Sequence, residues 1–198
     1  MKKLMIALAV VACAAVVQAS TYNWKQPAAM YEAGSTTTLL NGQTAYLFDT
    51  ATISQTELVK ALFIDKTYAS LDAAFSAKGI AGSTMTVNSA GKVAPNAAGA
   101  DNFTYDKYSG GTVWHAFYAI VDGDNVFISA DSKDIQASDL AAAVTANFNS
   151  AKTASQAAAM DGTKGYSTAG WYTAVPEPTS GLLLLLGVAG LALRRRRA

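Results

Sequence analysis

Apolar and polar positions along this chain break into short runs that mark strands more often than helices. Thr44-Ala45-Tyr46-Leu47-Phe48 is apolar on both faces, the pattern of a well-buried strand, and Asn41-Gly42 before it is a strong turn signal. Residues 36–40 read as extended chain. Ser54-Gln55-Thr56-Glu57 has the form of a capping box, and Leu58, Val59, Leu62 and Phe63 supply an apolar stripe at four-residue spacing, so a helix is predicted through about Ile64. A second short helix is predicted over 70–78, with Gly79 as its left-handed C-cap. Thr84-Met85-Thr86-Val87 alternates again, Asn88-Ser89-Ala90-Gly91 breaks the pattern, and residues 95–102 have the composition of an exposed loop.

The clearest hairpin joins residues 112–121 to residues 125–130 across Asp122-Gly123-Asp124. Its first strand is almost continuously apolar or aromatic, which predicts a central position. Residues 141–148 fit either a helix or a strand centred on Val144-Thr145-Ala146-Asn147-Phe148, residues 150–160 lean helical on alanine content, and Gly170-Trp171-Tyr172-Thr173 reads as a closing strand. The expected fold is mainly β, a β-sandwich-like single domain over residues 20–174 with two or three short helices.

Both ends differ from this pattern. Lys2 and Lys3 precede an apolar stretch over 4–17, and Val17-Gln18-Ala19 presents a cleavage site between Ala19 and Ser20, so residues 1–19 read as a signal peptide. Val10-Val11-Ala12-Cys13 offers a competing lipobox, with Cys13 as the lipidated mature N-terminus. If cleavage follows Ala19 the mature protein has no cysteine, since Cys13 is the sole one, and disulfides, a thiol nucleophile and thiolate metal sites are excluded. At the other end Val175, Pro176, Glu177 and Pro178 lead into the apolar run 181–193, and Arg194, Arg195, Arg196 and Arg197 follow.

Charge changes the picture once the ends are set apart. The whole chain is formally +1, yet residues 20–174 hold nine lysines, no arginine and thirteen carboxylates, a net charge of −4. A mildly acidic domain without arginine lacks the footprint of nucleic-acid binding and the forked group preferred for phosphate. No nucleic-acid partner is expected.

Candidate chemistry inside 20–174 is thin. His115, the sole histidine, lies in an apolar strand without a visible nucleophile partner and reads as a sheet-face residue. Asp122, Asp124 and Asn125 suggest a calcium loop, but Val126, Phe127 and Ile128 stand where further oxygen ligands belong, so a hairpin turn is the better reading; Asp131 and Asp134 are the residues that could add ligands in space. Glu32, Glu57 and eleven aspartates read as solvated surface acids, with Glu57 already assigned to the cap. Trp24 and Trp171 are the two aromatic side chains to test for stacking against a sugar, whereas Trp114 reads as core. No catalytic residue, metal or cofactor is expected.

The apolar run 181–193 spans about 20 Å as a helix, short for an ordinary membrane crossing, and taking in Ser180 (180–193) lengthens it slightly. The arginines would remain cytoplasmic, placing the domain beyond the inner membrane. The two prolines keep 175–178 extended and present Glu177. Together Val175-Pro176-Glu177-Pro178-Thr179, the short apolar helix and the basic end resemble the PEP-CTERM sorting signal of Gram-negative bacteria, a resemblance confined to residues 175–198. It implies recognition of Pro176, Glu177 and Pro178 by exosortase, a membrane-embedded cysteine protease that removes the helix, and delivery to the outer envelope or exterior. Members are often linked with exopolysaccharide and biofilm matrix.

The expectation is an exported surface or matrix protein with a structural or adhesive role and no enzymatic activity. Its expected partners are signal peptidase, an exosortase-type protease, the inner membrane transiently, and exopolysaccharide. A carbohydrate-binding module is the alternative, and a small secreted hydrolase the third reading.

Overall fold

A computed structural model describes residues 21–95, 101–108, 112–130, 135–136, 144–148 and 159–174. Outside them lie the expected signal peptide with Cys13, Ala19 and Ser20, Asp131 and Asp134, most of the expected helix over 150–160, and the tail with Val175, Pro176, Glu177, Pro178 and Arg194 to Arg197.

The described part is mainly β. Its strands are β1 (Thr21–Lys25), β2 (Thr44–Asp49), β3 (Met85–Thr86), β4 (Phe103–Thr104), β5 (Val113–Trp114), β6 (Ala116–Asp122), β7 (Asn125–Ile128), β8 (Ile135–Gln136), β9 (Val144–Asn147), β10 (Met160–Asp161) and β11 (Gly170–Thr173). Two α-helices, α1 (Gln55–Val59) and α2 (Leu71–Lys78), lie between β2 and β3. The large sheet has the order β10-β11-β7-β6-β2-β3, the smaller one β4-β1-β9, and β5 pairs with β8 apart from both. The hairpin β6–β7 is central, as its apolar first strand requires. Gly123, at the first position of its two-residue loop, has φ 57°, the conformation type II′ hairpins need there.

Side-chain direction explains why the strands read as continuously apolar. Successive residues point to opposite faces, and both faces of the large sheet are covered. Leu47, Tyr118, Ile120, Phe127 and Trp171 meet Tyr22, Trp24, Phe103 and Phe148 on one side. Tyr46, Phe48, Phe117, Ala119, Val126, Ile128 and Tyr172 meet Leu58, Val59, Phe63, Leu71 and Ala74 of the helical segment on the other. The second face of the large sheet is therefore covered by helices. Each large side chain taken from water adds about 1.5–3 kcal/mol.

Several expectations need correction. The capping box is present, with the Ser54 amide donating to Glu57 Oε2 at 2.8 Å and the Glu57 amide to Ser54 Oγ at 3.2 Å. The Ser54 amide, and after it the Ser54 hydroxyl, which donates to the same Oε2 at 2.8 Å, hold the Glu57 carboxyl below its ordinary value. The α-helix nevertheless ends at Val59, and Lys60–Ile64 forms a π-helical turn closed by the Asp65 amide on the Lys60 carbonyl at 2.8 Å. The wider turn leaves Phe63 buried and Ile64 43% exposed. Gly79 is not a left-handed cap: its φ is −74°. It is glycine because a Cβ there would lie 2.0 Å from the Phe75 ring. The strand expected over 112–121 is broken at His115, since Val113 and Trp114 turn away to pair with β8 while Ala116 onward pairs with β2. Of the alternatives at 141–148, residues 144–147 form a strand parallel to β1; tertiary pairing there overrides alanine's helix preference. Met160 belongs to β10 and not to a helix.

Candidate functional site

The residues with most chemistry in one place gather at the end of β2. Asp49, its last residue, sits opposite Ala116 at the start of β6. Its side chain is 1% exposed, and among the described residues it is the only charged one that is buried. Oδ2 accepts from Lys107 Nζ at 2.7 Å, Tyr105 Oη at 2.7 Å and Tyr108 Oη at 3.0 Å, and Oδ1 accepts from the Ala51 amide at 2.9 Å. Lys107 also donates to Thr52 Oγ1 at 3.0 Å. The two tyrosines are fixed from behind by Trp114: Tyr108 stacks on it at 5.8 Å, and Tyr105 meets it edge-on at 5.1 Å.

Electrostatics follow from this geometry. Burial by itself would raise the Asp49 carboxyl, but the bonds from Lys107 and Tyr105, then Ala51 and Tyr108, outweigh it and hold the group below its ordinary value. Burial, then the bonded Asp49 carboxylate, pushes the Tyr105 and Tyr108 hydroxyls up. For Lys107 partial burial works against the charge, and Asp49 more than restores it. An ionised carboxylate saturated with donors holds no proton to give. The cluster thus acts as a staple that pins residues 105–108 to the large sheet.

The residues singled out from sequence lie elsewhere. Trp24 is 0% exposed and Trp171 is 1% exposed. Trp24 packs against Tyr118 and Phe148, its Nε1 donates to the Ser83 carbonyl at 2.7 Å, and Trp171 packs edge-on against Phe127. Neither ring offers a flat surface to a sugar, so the glycan platform they would form is overturned. Both come from strands whose inward faces meet in the same core. His115 is exposed at the strand break, and its carbonyl accepts from the Thr50 amide at 3.0 Å. Asp122 accepts from Gln43 Nε2 at 3.3 Å and from the Ala33 amide at 3.4 Å, so its carboxylate ties the hairpin to neighbouring chain. Among the described residues no group of three His, Cys, Asp or Glu is placed to hold a metal ion.

Sequence reasoning missed Asp49, Tyr105, Lys107 and Tyr108. The one available signal was the aromatic pair around a lysine in Tyr105-Asp106-Lys107-Tyr108, and nothing in it points 58 residues back to Asp49.

At the opposite end of the large sheet the chain leaves the fold. Thr173, the last residue of β11, is paired on one side with Asn125 and on the other with Asp161. Ala174 is exposed, and the tail begins there. Among the described residues no helix is long and apolar enough to cross a membrane.

Residues 174–197 match the family model of the PEP-CTERM protein-sorting motif. The match begins one residue beyond β11. Comparisons with curated proteins and with solved structures returned no match. The chain thus carries the signal of an exported protein, made as a membrane-anchored precursor and sorted through exosortase.

Proposed function

We propose that the folded part is a structural or adhesive unit of the cell surface or extracellular matrix, delivered there by its sorting segment and acting without turnover of a substrate. The observation that carries this reading is the junction: the sorting match starts at residue 174, directly after a strand held between two neighbours in the main sheet. The segment is therefore joined to a folded cargo without a linker. The buried staple at Asp49 and the two hydrophobic layers support a durable body of this kind.

In this reading signal peptidase cuts between Ala19 and Ser20. The short apolar helix holds the precursor in the inner membrane with Arg194 to Arg197 on the cytoplasmic side. Exosortase then acts on the segment containing Pro176, Glu177 and Pro178 and releases the cargo. The test is expression of the full chain in a host with and without its exosortase, followed by intact-mass measurement and fractionation. The expected result is a cargo without its tail outside the cell only when exosortase is present. A tail still attached and an unchanged location in both hosts would overturn the proposal.

A further inference from the structure

The strand register separates the point where the sorting segment leaves the fold from the Asp49 cluster by the length of the large sheet. Thr173, the last residue of β11, lies opposite Asn125 on β7, and Asn125 lies opposite Asp122 at the end of β6. Asp49 lies opposite Ala116, at the other end of β6. The six residue steps from Ala116 to Asp122 come to about 20 Å of strand. Asp124 in the β6–β7 turn and Lys164 in the turn after β10 are exposed on the rim at the chain exit, and Asp106 is exposed beside the Asp49 cluster.

Chain length limits how this body can sit above a membrane. The eight residue steps from Thr173 to Gly181, where the apolar run begins, span at most about 29 Å. The headgroup layer takes up about 5–8 Å of that, so Thr173 stands no more than about 24 Å above the lipid surface. A domain of about 155 residues is roughly 40 Å across. Turning the exit end to the far side of the cargo would need about 40 Å of tether above the headgroups, which the chain does not have. Attraction to lipid plays no part in this limit. The exposed Asp124 and Lys164 oppose each other in sign and give anionic headgroups no basic patch to hold.

We propose that, in the anchored precursor, this short tether holds the chain-exit rim toward the inner-membrane surface and presents the Asp49 end, with Asp106 and Lys107, to the space beyond it. This rests on the sorting role proposed above. A partner that meets the precursor before release meets the Asp49 end, and the rim comes free only when the tail is removed.

The test uses the chain with its tail, purified from a host without exosortase and reconstituted into phosphatidylcholine vesicles that carry a lipid-linked energy-transfer acceptor. Asp124→Cys, Lys164→Cys and Asp106→Cys, all at exposed positions, are each labelled after reconstitution with a donor dye that does not cross the bilayer. Energy transfer is expected to place residues 124 and 164 nearer the acceptor plane than residue 106 by roughly 10–20 Å, the sheet length reduced by tilt. A flexible Gly/Ser spacer of about twenty residues after Ala174, about 25 Å in mean reach, is expected to bring the three distances together. Equal distances without the spacer, a shorter distance from residue 106, or a difference that survives the spacer would each overturn the proposal. Protein that does not stay with the vesicles would instead defeat the anchored precursor on which it rests.

Discussion

The two ends of the large sheet use aspartate in opposite ways. At one end Asp49 is buried, and Lys107, Tyr105, Tyr108 and the Ala51 amide all bond to it. At the other, Asp124 stands in an exposed turn beside the chain exit. The residue type is the same, and the surroundings decide its role. A carboxylate removed from water is stable only with its partners in place, so it fixes the structure around it. One left in water costs the fold nothing and remains available as charge.

The sharpest way to break this contrast is to delete each carboxylate in turn. Asp49→Ala is expected to cost about 3–4 kcal/mol, because it strands Lys107 and both tyrosine hydroxyls without their acceptor. Asp124→Ala is expected to leave the urea midpoint unchanged. Equal effects in urea unfolding would erase the distinction between the two ends.

Acid offers a second separation. The folded-state pKa of Asp49 lies below the ordinary value of 3.8, so on acidification the unfolded chain takes up the proton first. The stability Asp49 supplies is complete above about pH 5, declines as pH falls through the ordinary carboxylate range, and is gone below the depressed folded value. The stability difference between wild type and Asp49→Asn should shrink accordingly as pH falls below about 5. A difference independent of pH would show that the cluster does not depend on ionised Asp49.

The smallest effect sharpens the comparison from within the staple. Lys107 has a side chain 41% exposed, so water screens its half of the pair, and Lys107→Met is expected to cost only about 1 kcal/mol. Asp49 would keep its tyrosine and amide donors. A loss as large as that of Asp49→Ala, measured in the same urea series, would mean that the lysine carries the cluster.

Much of the sheet was legible because its strands lie between two apolar layers. Residues 44–48 and 116–121 read as continuously apolar for that reason, and Gly123 marked the turn between β6 and β7. The Ser54–Glu57 cap was equally legible, being a local exchange of bonds within one turn. Contacts between distant residues were not. The π-helical turn at Lys60–Ile64 and the extended Gly79 depend on what Phe63 and Phe75 meet in space. The break at His115 depends on β8, whose sequence gives no sign of competing for Val113 and Trp114. Trp24 and Trp171 sit near the ends of the folded stretch, and that position suggested exposure. Strand pairing carries both into the centre, since β1 is held between β4 and β9 and β11 between β10 and β7. At the chain exit the sorting motif was readable from residues alone, but the rim around it needed the strand register.

The place of β11 also bears on timing. A chain crossing a membrane from its N-terminus delivers β6 and β7 well before residues 170–173, so β7 has no partner on its outer side until nearly the whole cargo has emerged. An open strand edge is where chains pair wrongly with one another. In the proposed sorting role, the residues that close this edge are followed at once by the segment that halts the chain in the membrane. Cargo molecules would thus be retained at the inner membrane just as the last strand becomes available, apart from one another while the sheet completes. Release after that point would favour finished molecules over partly assembled ones.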